Sequence, residues 1–364
     1  MADGPSVRTA IIASHRLTPG HLSHMLANGQ LLQDMGWDVV FRVPPGLADL
    51  VGDGTPLPLA SSEDLSNAGL YVLWAPSLQG LLDAIALRLA SRARVVYVLH
   101  EPYTSFRSYR EAGFSFLKTS RVFLIHCVSS LIVASSHAVI LPSLNARSAF
   151  ERRYRSRRAV VVPLMFVDEA TQVAPQAERS FVSYIGTIAE DHAFDQFVAF
   201  VEQSLQAGLL DGYRFLIATR SVLPPDVQQR LDPYIAAGRV EVRSGRPLTN
   251  REINGAYGSS LVIWNAYRRS MQSGVLPKAY MFGTPVLVSA ANRSEFFVDG
   301  EHGAEVSTRY DAREIAEAVQ RIVKDFSGYS RACRAAFFHH FHYRANAAAF
   351  LDAVAPSPNA EVAS

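Results

Sequence analysis

The residues best suited to bind a ligand lie in the stretch RRSMQSGVLPKAYMFGTPVLVSA, at positions 268–290 of the 364-residue chain. A turn of small residues precedes a helical stretch predicted at 276–282, and this turn consists of Gln272, Ser273, Gly274 and Val275. The N-terminus of a helix presents unpaired N–H groups and the positive end of its dipole, and both suit a phosphate. A side chain at Gly274 would keep phosphate oxygens away from the backbone. We interpret the turn as a phosphate site, with an ordinary strand-to-helix loop as the alternative.

Three basic residues flank this turn and could balance the charge of a phosphate. Arg268 and Arg269 precede it, and Lys278 lies one turn into the helix that follows. Adjacent side chains point in different directions, so we expect only one of the two arginines to face the ligand. The alternative is that both arginines are solvated and that the turn is structural.

Two further positions carry groups that could act on a substrate. His100 and Glu101 follow the buried strand RVVYVL at 94–99, at the edge where parallel sheets bind ligands. His100 could donate a hydrogen bond to a substrate or move a proton, or it could cap the strand. Glu101 is either a second substrate-binding group or a solvent-facing residue. Glu295 follows Ser294 and is either a ligand-binding carboxylate or an acid at the start of a helix.

Short apolar runs alternate with helical segments along most of the chain. Runs such as RTAIIAS (8–14) and TPVLVSA (284–290) have the composition of strands, whereas 21–36 repeats apolar residues at helical spacing. Buried strands that alternate with helices predict parallel sheets covered on both faces. The polar, proline-bearing segment 168–180 predicts a linker. The predicted fold class is therefore α/β, with two Rossmann-like, doubly wound domains.

The composition is that of a folded protein rather than a nucleic-acid-binding or disulfide-rich one. Apolar residues make up 49% of the chain, charged residues 19%, and the net charge is +2. Cys127 and Cys333 have no CxxC spacing, which predicts a reduced, cytoplasmic setting without a zinc site. The first residues do not resemble a signal peptide. Two cations and a histidine interrupt the apolar stretch 114–135, which predicts that it is not a membrane span.

A cluster of arginines predicts contact with an anionic membrane surface. It lies in the stretch NARSAFERRYRSRR (145–158), predicted as a helix, and consists of Arg152, Arg153, Arg155, Arg157 and Arg158. Cationic side chains, together with aromatic residues upstream, suit the headgroup layer of a bilayer. A solvated helix face is the alternative. The histidines of FFHHFHYR (337–344) cannot all face one way on a helix, so no metal site is predicted there.

Nearly the whole chain resembles the retaining family 4 group of GT-B glycosyltransferases, which build bacterial polysaccharides and glycoconjugates. The resemblance rests on Gly-Thr-Pro-Val at 283–286, on Glu295, and on an Asp-Gly-x-x-Gly turn at 299–303. It implies a GT-B fold, in which two Rossmann-like domains face a deep cleft. It also implies an acceptor-binding domain at 1–165, a donor-binding domain at 166–330, and a C-terminal segment at 331–364 that crosses back to the first domain.

The resemblance also implies roles for individual residues. In the first domain, Gly20 and His21 lie in the loop after the first strand, on the acceptor side with Glu101, and His100 matches a histidine that closes the fourth strand. His100 and Glu295 are the implied catalytic residues. In the second domain, Gly186 and Thr187 follow the first strand and are implied to bind the donor.

This chain differs from the family pattern at charged positions. Ser270 and Lys278 occupy the places of two glutamates that address the transferred sugar and the nucleotide ribose. Thr187 and His192 occur where the family has an arginine and a lysine that neutralise the diphosphate. Lys278 is therefore expected to reach a phosphate or a carboxylate-bearing sugar.

The activity implied by the resemblance is sugar transfer from a nucleotide-diphosphate sugar to a polysaccharide, oligosaccharide or lipid-linked acceptor, with retention. No cofactor or metal is expected, and the enzyme would be cytoplasmic, or peripheral at the inner face of the membrane. Two alternatives stay open: a non-catalytic partner subunit on the same fold, and a sugar-nucleotide epimerase. A dehydrogenase is disfavoured because no strand is followed by G-x-G-x-x-G.

Overall fold

The structure is a computed structural model, and it describes residues 8–17, 19–50, 57–90, 93–154 and 158–355. Its strands are β1 (Thr9–Ala13), β2 (Asp38–Arg42), β3 (Ala68–Trp74), β4 (Arg94–Val98), β5 (Ala138–Leu141), β6 (Ala159–Val161), β7 (Phe181–Ile185), β8 (Arg214–Ala218), β9 (Val240–Arg243), β10 (Ser260–Asn265), β11 (Val286–Ser289) and β12 (Gly303–Val306).

Its helices are α1 (Leu22–Asp34), α2 (Pro45–Ala48), α3 (Ser62–Asn67), α4 (Leu78–Ala90), α5 (Phe106–Glu111), α6 (Phe116–Ser135), α7 (Leu144–Glu151), α8 (Phe194–Gln206), α9 (Pro225–Ala236), α10 (Asn250–Gly258), α11 (Val275–Met281), α12 (Ala312–Lys324), α13 (Phe326–Ala336) and α14 (Ala347–Val354). A π-helical turn at Phe337–Phe341 follows α13.

The strands form two six-stranded parallel sheets, in the orders β2-β1-β3-β4-β5-β6 and β12-β11-β10-β7-β8-β9. The inner strands are buried along most or all of their length, as in β10, because helices cover both faces of a parallel sheet. In each sheet the chain first adds strands on one side and then reverses direction. The reversals lie between β1 and β3 and between β7 and β10, and the carboxyl ends of strands at such points form ligand crevices.

The chain divides into two compact units. Unit 1 comprises residues 1–108, 115–167 and 341–364, and unit 2 comprises 109–114 and 168–340. Unit 1 contains the β1–β6 sheet and unit 2 the β7–β12 sheet. The linker segment 168–180 is irregular apart from one 3-10 turn at Gln176–Glu178.

The structure bears on two sequence predictions about the first half. The helix predicted over 145–158 is shorter than expected, because α7 ends at Glu151 and Arg152 and Arg153 lie in the turn that follows. Arg158 donates to Asp352 of α14 at 2.7 Å, and Arg155 and Arg157 lie outside the described residues. The stretch around α6 is an unbroken helix of 20 residues, with mean hydropathy 1.5 over its most apolar window. By length and composition alone, α6 could therefore cross a membrane.

The Asp-Gly-x-x-Gly turn at 299–303 has a structural role, because it leads into β12. The Asp299 carboxylate accepts a hydrogen bond from the Glu305 N–H at 2.8 Å, and Gly300 has a left-handed φ of 82°. Gly303 has φ 151°, and a Cβ there would lie 1.8 Å from the carbonyl oxygen of Val286 on the neighbouring strand. Glycine is required at this position because any side chain would break the β11–β12 pairing.

We predict that Gly303→Ala lowers the free energy of unfolding by about 3 kcal/mol or more, from strain and overpacking together. The matched control is Gly255→Ala in α10, where a Cβ meets no heavy atom within 4 Å. That control should be neutral or slightly stabilising, since alanine favours a helix by up to about 1 kcal/mol. Chemical denaturation measures both variants, and equal stabilities would contradict the assigned role of Gly303.

Candidate functional site

The loops that follow β7 and β10 meet at the carboxyl edge of the unit 2 sheet. Gly186 follows β7 with φ 142°, and a Cβ on it would lie 3.8 Å from the Tyr267 hydroxyl and 4.0 Å from Val275. Tyr267 and Val275 belong to the loop after β10 and the start of α11. The structure therefore brings the predicted donor residues Gly186 and Val275 to one place, at the point where the strand order reverses.

Hydrogen bonds hold the loop after β7 in a fixed shape. The carbonyl oxygen of Thr187 accepts from the Tyr184 hydroxyl at 2.6 Å and lies 2.9 Å from His192 Nδ1. The His192 ring stacks on Tyr267, with centroids 4.3 Å apart and planes 11° from parallel. Ser221, after β8, accepts from the Ile188 N–H at 3.2 Å. Three strand ends thus support one loop, and Thr187 is positioned by partners that sequence spacing does not reveal.

The two predicted arginines bind protein groups. The Arg268 guanidinium forms a two-point ion pair with Asp195, at 2.8 and 2.6 Å, and also donates to the Glu190 carbonyl. The Arg269 guanidinium lies 4.3 Å over the Tyr109 ring and donates to its hydroxyl at 3.2 Å. Both side chains therefore tie segments of unit 2 together, in addition to any contact they make with a ligand.

An arginine that sequence reasoning missed lies at the same edge. Arg220 follows β8, the neighbour of β7, between Thr219 and the Ser221 that supports the β7 loop. Its side chain is exposed and has no hydrogen-bonding or ionic partner among the described residues. Its place directly after a strand was the available signal, because strand ends of a parallel sheet share one edge.

The turn before α11 differs in detail from its predicted form. The helix begins at Val275 rather than 276 and is only seven residues long. The Val275 N–H donates to the Ser273 hydroxyl at 3.1 Å, so one predicted phosphate donor is already engaged. Gly274 has φ −66°, which any residue could adopt, and Gln272 is buried.

Lys278 does not supply the phosphate cation that the sequence predicted. Its side chain is 5% exposed, and Nζ donates to Glu169 at 2.9 Å and to Asn250 at 3.2 Å. Burial lowers the pKa of Lys278, and the Glu169 carboxylate partly offsets this effect. Burial acts to raise the pKa of Glu169, but Lys278 and hydrogen bonds from Asn254 and Asn250 outweigh it, so the pKa is lowered.

The Gly-Thr-Pro-Val motif joins α11 to β11 and contributes no group to the strand edge. Gly283 ends the helix with φ 59°, and Thr284 accepts from the buried Arg179 at 2.7 Å. Arg179 also donates to the carbonyl oxygens of Ser260 and Phe282. Glu295, predicted as catalytic, is exposed in a turn after β11.

A second polar cluster, missed from the sequence, lies in unit 1 beside β1 and β3. The Asp83 carboxylate of α4 is 2.8 Å from His15 Nε2 and accepts from the Tyr71 hydroxyl and from Gln79, both at 2.9 Å. Arg42, at the end of β2, lies 3.2 Å from the same carboxylate. Burial acts to raise the pKa of Asp83, but these hydrogen bonds outweigh it and lower the pKa. The cluster presents an oriented imidazole whose Nδ1 has no partner among the described residues.

The predicted residues His21 and His100 come together in unit 1. Their ring centroids are 5.3 Å apart, and His21 also lies 5.5 Å from Trp74 at the end of β3. Trp74 is buried, and its Nε1–H has no acceptor among the described residues. Ala75 follows with φ 61°, a left-handed conformation that is strained for alanine. Burial lowers the pKa of His100, with Glu101 opposing it, and this favours the neutral ring.

The remaining predicted residues make few contacts that define a site. Gly20 and Glu101 are exposed and adjoin His21 and His100 in the chain. Cys127 and Cys333 are free thiols. Across the described part of the chain, no three His, Cys, Asp or Glu side chains cluster as metal ligands.

Comparison with known proteins gives a consistent result. Residues 179–325 match the family described as Glycosyl transferases group 1. Sucrose-phosphate synthase from Thermosynechococcus elongatus is 17% identical, with a TM-score of 0.65 over 95% of this chain and 98% of that one. HepE from Anabaena, solved with UDP and glucose, is 14% identical, with a TM-score of 0.70 over 95% and 98%. A glycosyltransferase from Rickettsia africae is 11% identical, with a TM-score of 0.67 over 95% and 97%.

A search of curated proteins finds no match. The predicted GT-B fold is confirmed.

We predict that Lys278→Met costs about 3–5 kcal/mol of unfolding free energy near pH 7, because it leaves the Glu169 charge buried without its cation. The folded pKa of Glu169 is lowered, so the pair's contribution is fully present above the unfolded pKa and is lost as the pH falls through the folded one. The acid-induced loss of stability should therefore be smaller in Lys278→Met than in the native protein.

Denaturation across a pH series measures this effect. The control Lys324→Met replaces an exposed lysine and should be nearly neutral. Adding Glu169→Gln to Lys278→Met should recover part of the loss, because the unpaired charge is then gone. If Lys278→Met were as stable as the control, the ion pair would have no structural role.

Proposed function

We propose that this chain, whose residues 179–325 match the family described as Glycosyl transferases group 1, moves a sugar from a nucleoside-diphosphate donor to a saccharide hydroxyl. The observation that carries the proposal is the meeting of the loops after β7 and β10 inside the matched domain. That place is where doubly wound sheets bind nucleotides. The likeness to HepE, which was solved with UDP and glucose, supports a nucleoside diphosphate as the ligand.

In the proposed reaction, the bond between the anomeric carbon and the terminal phosphate oxygen breaks, and its electron pair leaves with the nucleoside diphosphate. The acceptor oxygen forms the new bond to the anomeric carbon and releases its proton. Groups that stabilise the charge growing on the leaving phosphate accelerate this step. We assign this role to Arg220 together with the backbone around Gly186, Thr187 and the Ser273–Gly274 turn. The exposed Glu295 would contact the sugar.

The acceptor side of the proposal rests on unit 1. His15, held through Nε2 by Asp83, can accept a hydrogen bond from an acceptor hydroxyl at Nδ1. The neutral His100 ring and the Trp74 Nε1–H offer two further groups for a saccharide. His15 and Trp74 lie where β1 and β3 mark the reversal of the first sheet, which is the other crevice of this fold.

The finer points of the proposal follow from the family resemblance. We propose that the anomeric configuration is retained, that no metal takes part, and that the acceptor is a lipid-linked or polymeric saccharide at the cytoplasmic face of an anionic membrane. Ser270 and Lys278, in place of two glutamates, also fit a non-catalytic partner subunit. A nucleotide sugar that is bound but never consumed would favour that second candidate.

Binding of a nucleoside diphosphate tests the donor site. The melting temperature of the native protein should rise with one member of a panel of UDP, GDP, ADP and CDP, by mass action. Arg220→Ala should weaken that binding at least about tenfold, since a hydrogen bond to a charged group contributes about 1.5–3 kcal/mol. The loss should be greater at low salt. Arg251→Ala, an exposed arginine on α10, is the matched control. No shift with any nucleotide would contradict the proposed function, and equal shifts in both variants would remove Arg220 from the site.

Replacing His15 tests the acceptor side. With the donor that the native enzyme consumes, His15→Ala should lower kcat/KM for the acceptor by about tenfold, and leave the affinity for the nucleoside diphosphate unchanged. His339→Ala removes an exposed histidine of unit 2 and should behave like the native enzyme. An undiminished kcat/KM in folded His15→Ala would reduce the His15–Asp83 pair to a structural contact.

A further inference from the structure

Helix α6 differs from an ordinary surface helix, because several of its buried residues are polar and several of its exposed residues are large and apolar. Three of its buried residues are polar, namely Thr119, His126 and Ser129. Large apolar residues face outward instead, and Leu117 is 80% exposed, with Leu124 and Leu131 also exposed. Folding normally removes such side chains from water, so an exposed apolar face of this kind is typical of a contact with another molecule or a membrane.

Helix α4 packs beside α6 and extends the same apolar surface. Leu78, Leu82 and Leu89 are exposed, and Leu89 is 82% accessible. With Ile85 they recur every three to four residues, so they form one stripe along the helix. We call the exposed sides of these two helices the α4–α6 face.

The exposed charged residues of the two helices are all basic. Helix α6 has no acidic residue, and the one acid of α4, Asp83, is buried in the unit 1 cluster. Arg88 and Arg121 are exposed on the two helices, and Lys118 lies near the start of α6. Aromatic residues gather at that end, where Phe106 and Phe116 form an edge-to-face pair with centroids 5.5 Å apart.

We propose that the α4–α6 face rests on an anionic lipid bilayer, with its leucines among the acyl chains and its cations among the headgroups. Apolar residues, a rim of lysine and arginine, and aromatic residues at one end together suit the interfacial layer. A second copy of this chain is a poorer occupant, because a symmetric contact would bring the same exposed cations of both copies together. The proposal makes specific the membrane contact suggested above, and moves it from the arginine-rich stretch 152–158 to these helices.

The contacts of α6 favour a helix that lies on the bilayer over one that crosses it. The inner side of α6 is tied to unit 1 by Ser129, which lies 3.4 Å from the Tyr97 hydroxyl, and by Ser130, 2.6 Å from the Tyr154 hydroxyl. Crossing would break these contacts and place the polar side chains in hydrocarbon. Lying in the interface keeps them and buries the leucines.

Flotation of the full-length protein with vesicles tests this inference without any sugar donor. The native protein should bind vesicles of phosphatidylcholine mixed with phosphatidylglycerol more tightly than phosphatidylcholine alone. Leu117→Glu with Leu124→Glu should lower vesicle binding at least about tenfold, because two apolar side chains that would insert among the acyl chains are lost. Leu59→Glu with Val222→Glu, also at exposed apolar positions, is the matched control and should bind as the native protein does. Arg88→Gln with Arg121→Gln should remove most of the preference for the anionic vesicles.

Three results would overturn the inference. They are an absence of vesicle binding, equal binding by the α4–α6 variant and its control, and a native dimer that the α4–α6 variant dissociates without any binding to lipid. The last result would assign the face to a second copy. The variants should keep the melting-temperature shift with the nucleoside diphosphate, so a failure of the membrane contact is distinguishable from a failure of the proposed sugar transfer.

Discussion

The backbone carbonyl of Asp191 joins the two loops on which the candidate donor site depends. It accepts hydrogen bonds from the N–H groups of Arg268 at 2.8 Å and Arg269 at 3.3 Å. One loop follows β7 and the other follows β10, and the strand order leaves a crevice between strands at this reversal. The Arg268–Asp195 ion pair adds a second link across the same loops. The loops can therefore present a fixed surface to a ligand, which a preorganised site requires.

The three cations that the sequence predicts for a phosphate are engaged by protein groups, so the positive charge of a donor site must come from another residue. Arg268, Arg269 and Lys278 all bind protein groups, so their charges are partly neutralised before any phosphate arrives. A diphosphate still needs a cation or oriented N–H groups, because an uncompensated charge is costly away from water. In the proposed function, Arg220 meets this need, because it is an exposed cation at the end of the adjacent strand β8.

The alternation of strands and helices, and the loops at strand ends, could be predicted from local sequence patterns. Partners distant along the chain could not. The sequence predicts Lys278 to be a ligand-binding cation, yet it is buried and paired with Glu169 of the linker. Likewise, His15 is oriented by Asp83 on α4, which is distant along the chain. The helix predicted over 145–158 was too long for the same reason: α7 ends at Glu151, and Tyr154 beyond it hydrogen-bonds with Ser130, which lies far from it along the chain. Composition identified α6 as apolar but could not show that its polar side faces the sheet.

The consumption of a nucleotide sugar is the most direct test of the account. Incubating the protein with UDP-, GDP-, ADP- and CDP-linked sugars, with anionic vesicles and candidate saccharide acceptors, allows released nucleoside diphosphate and new glycosidic bonds to be followed together by NMR. The account predicts that one nucleotide sugar is consumed, with one diphosphate released for each sugar transferred to a hydroxyl and the anomeric configuration retained. A bound donor that is never consumed, or one that is only converted into its epimer, would contradict it.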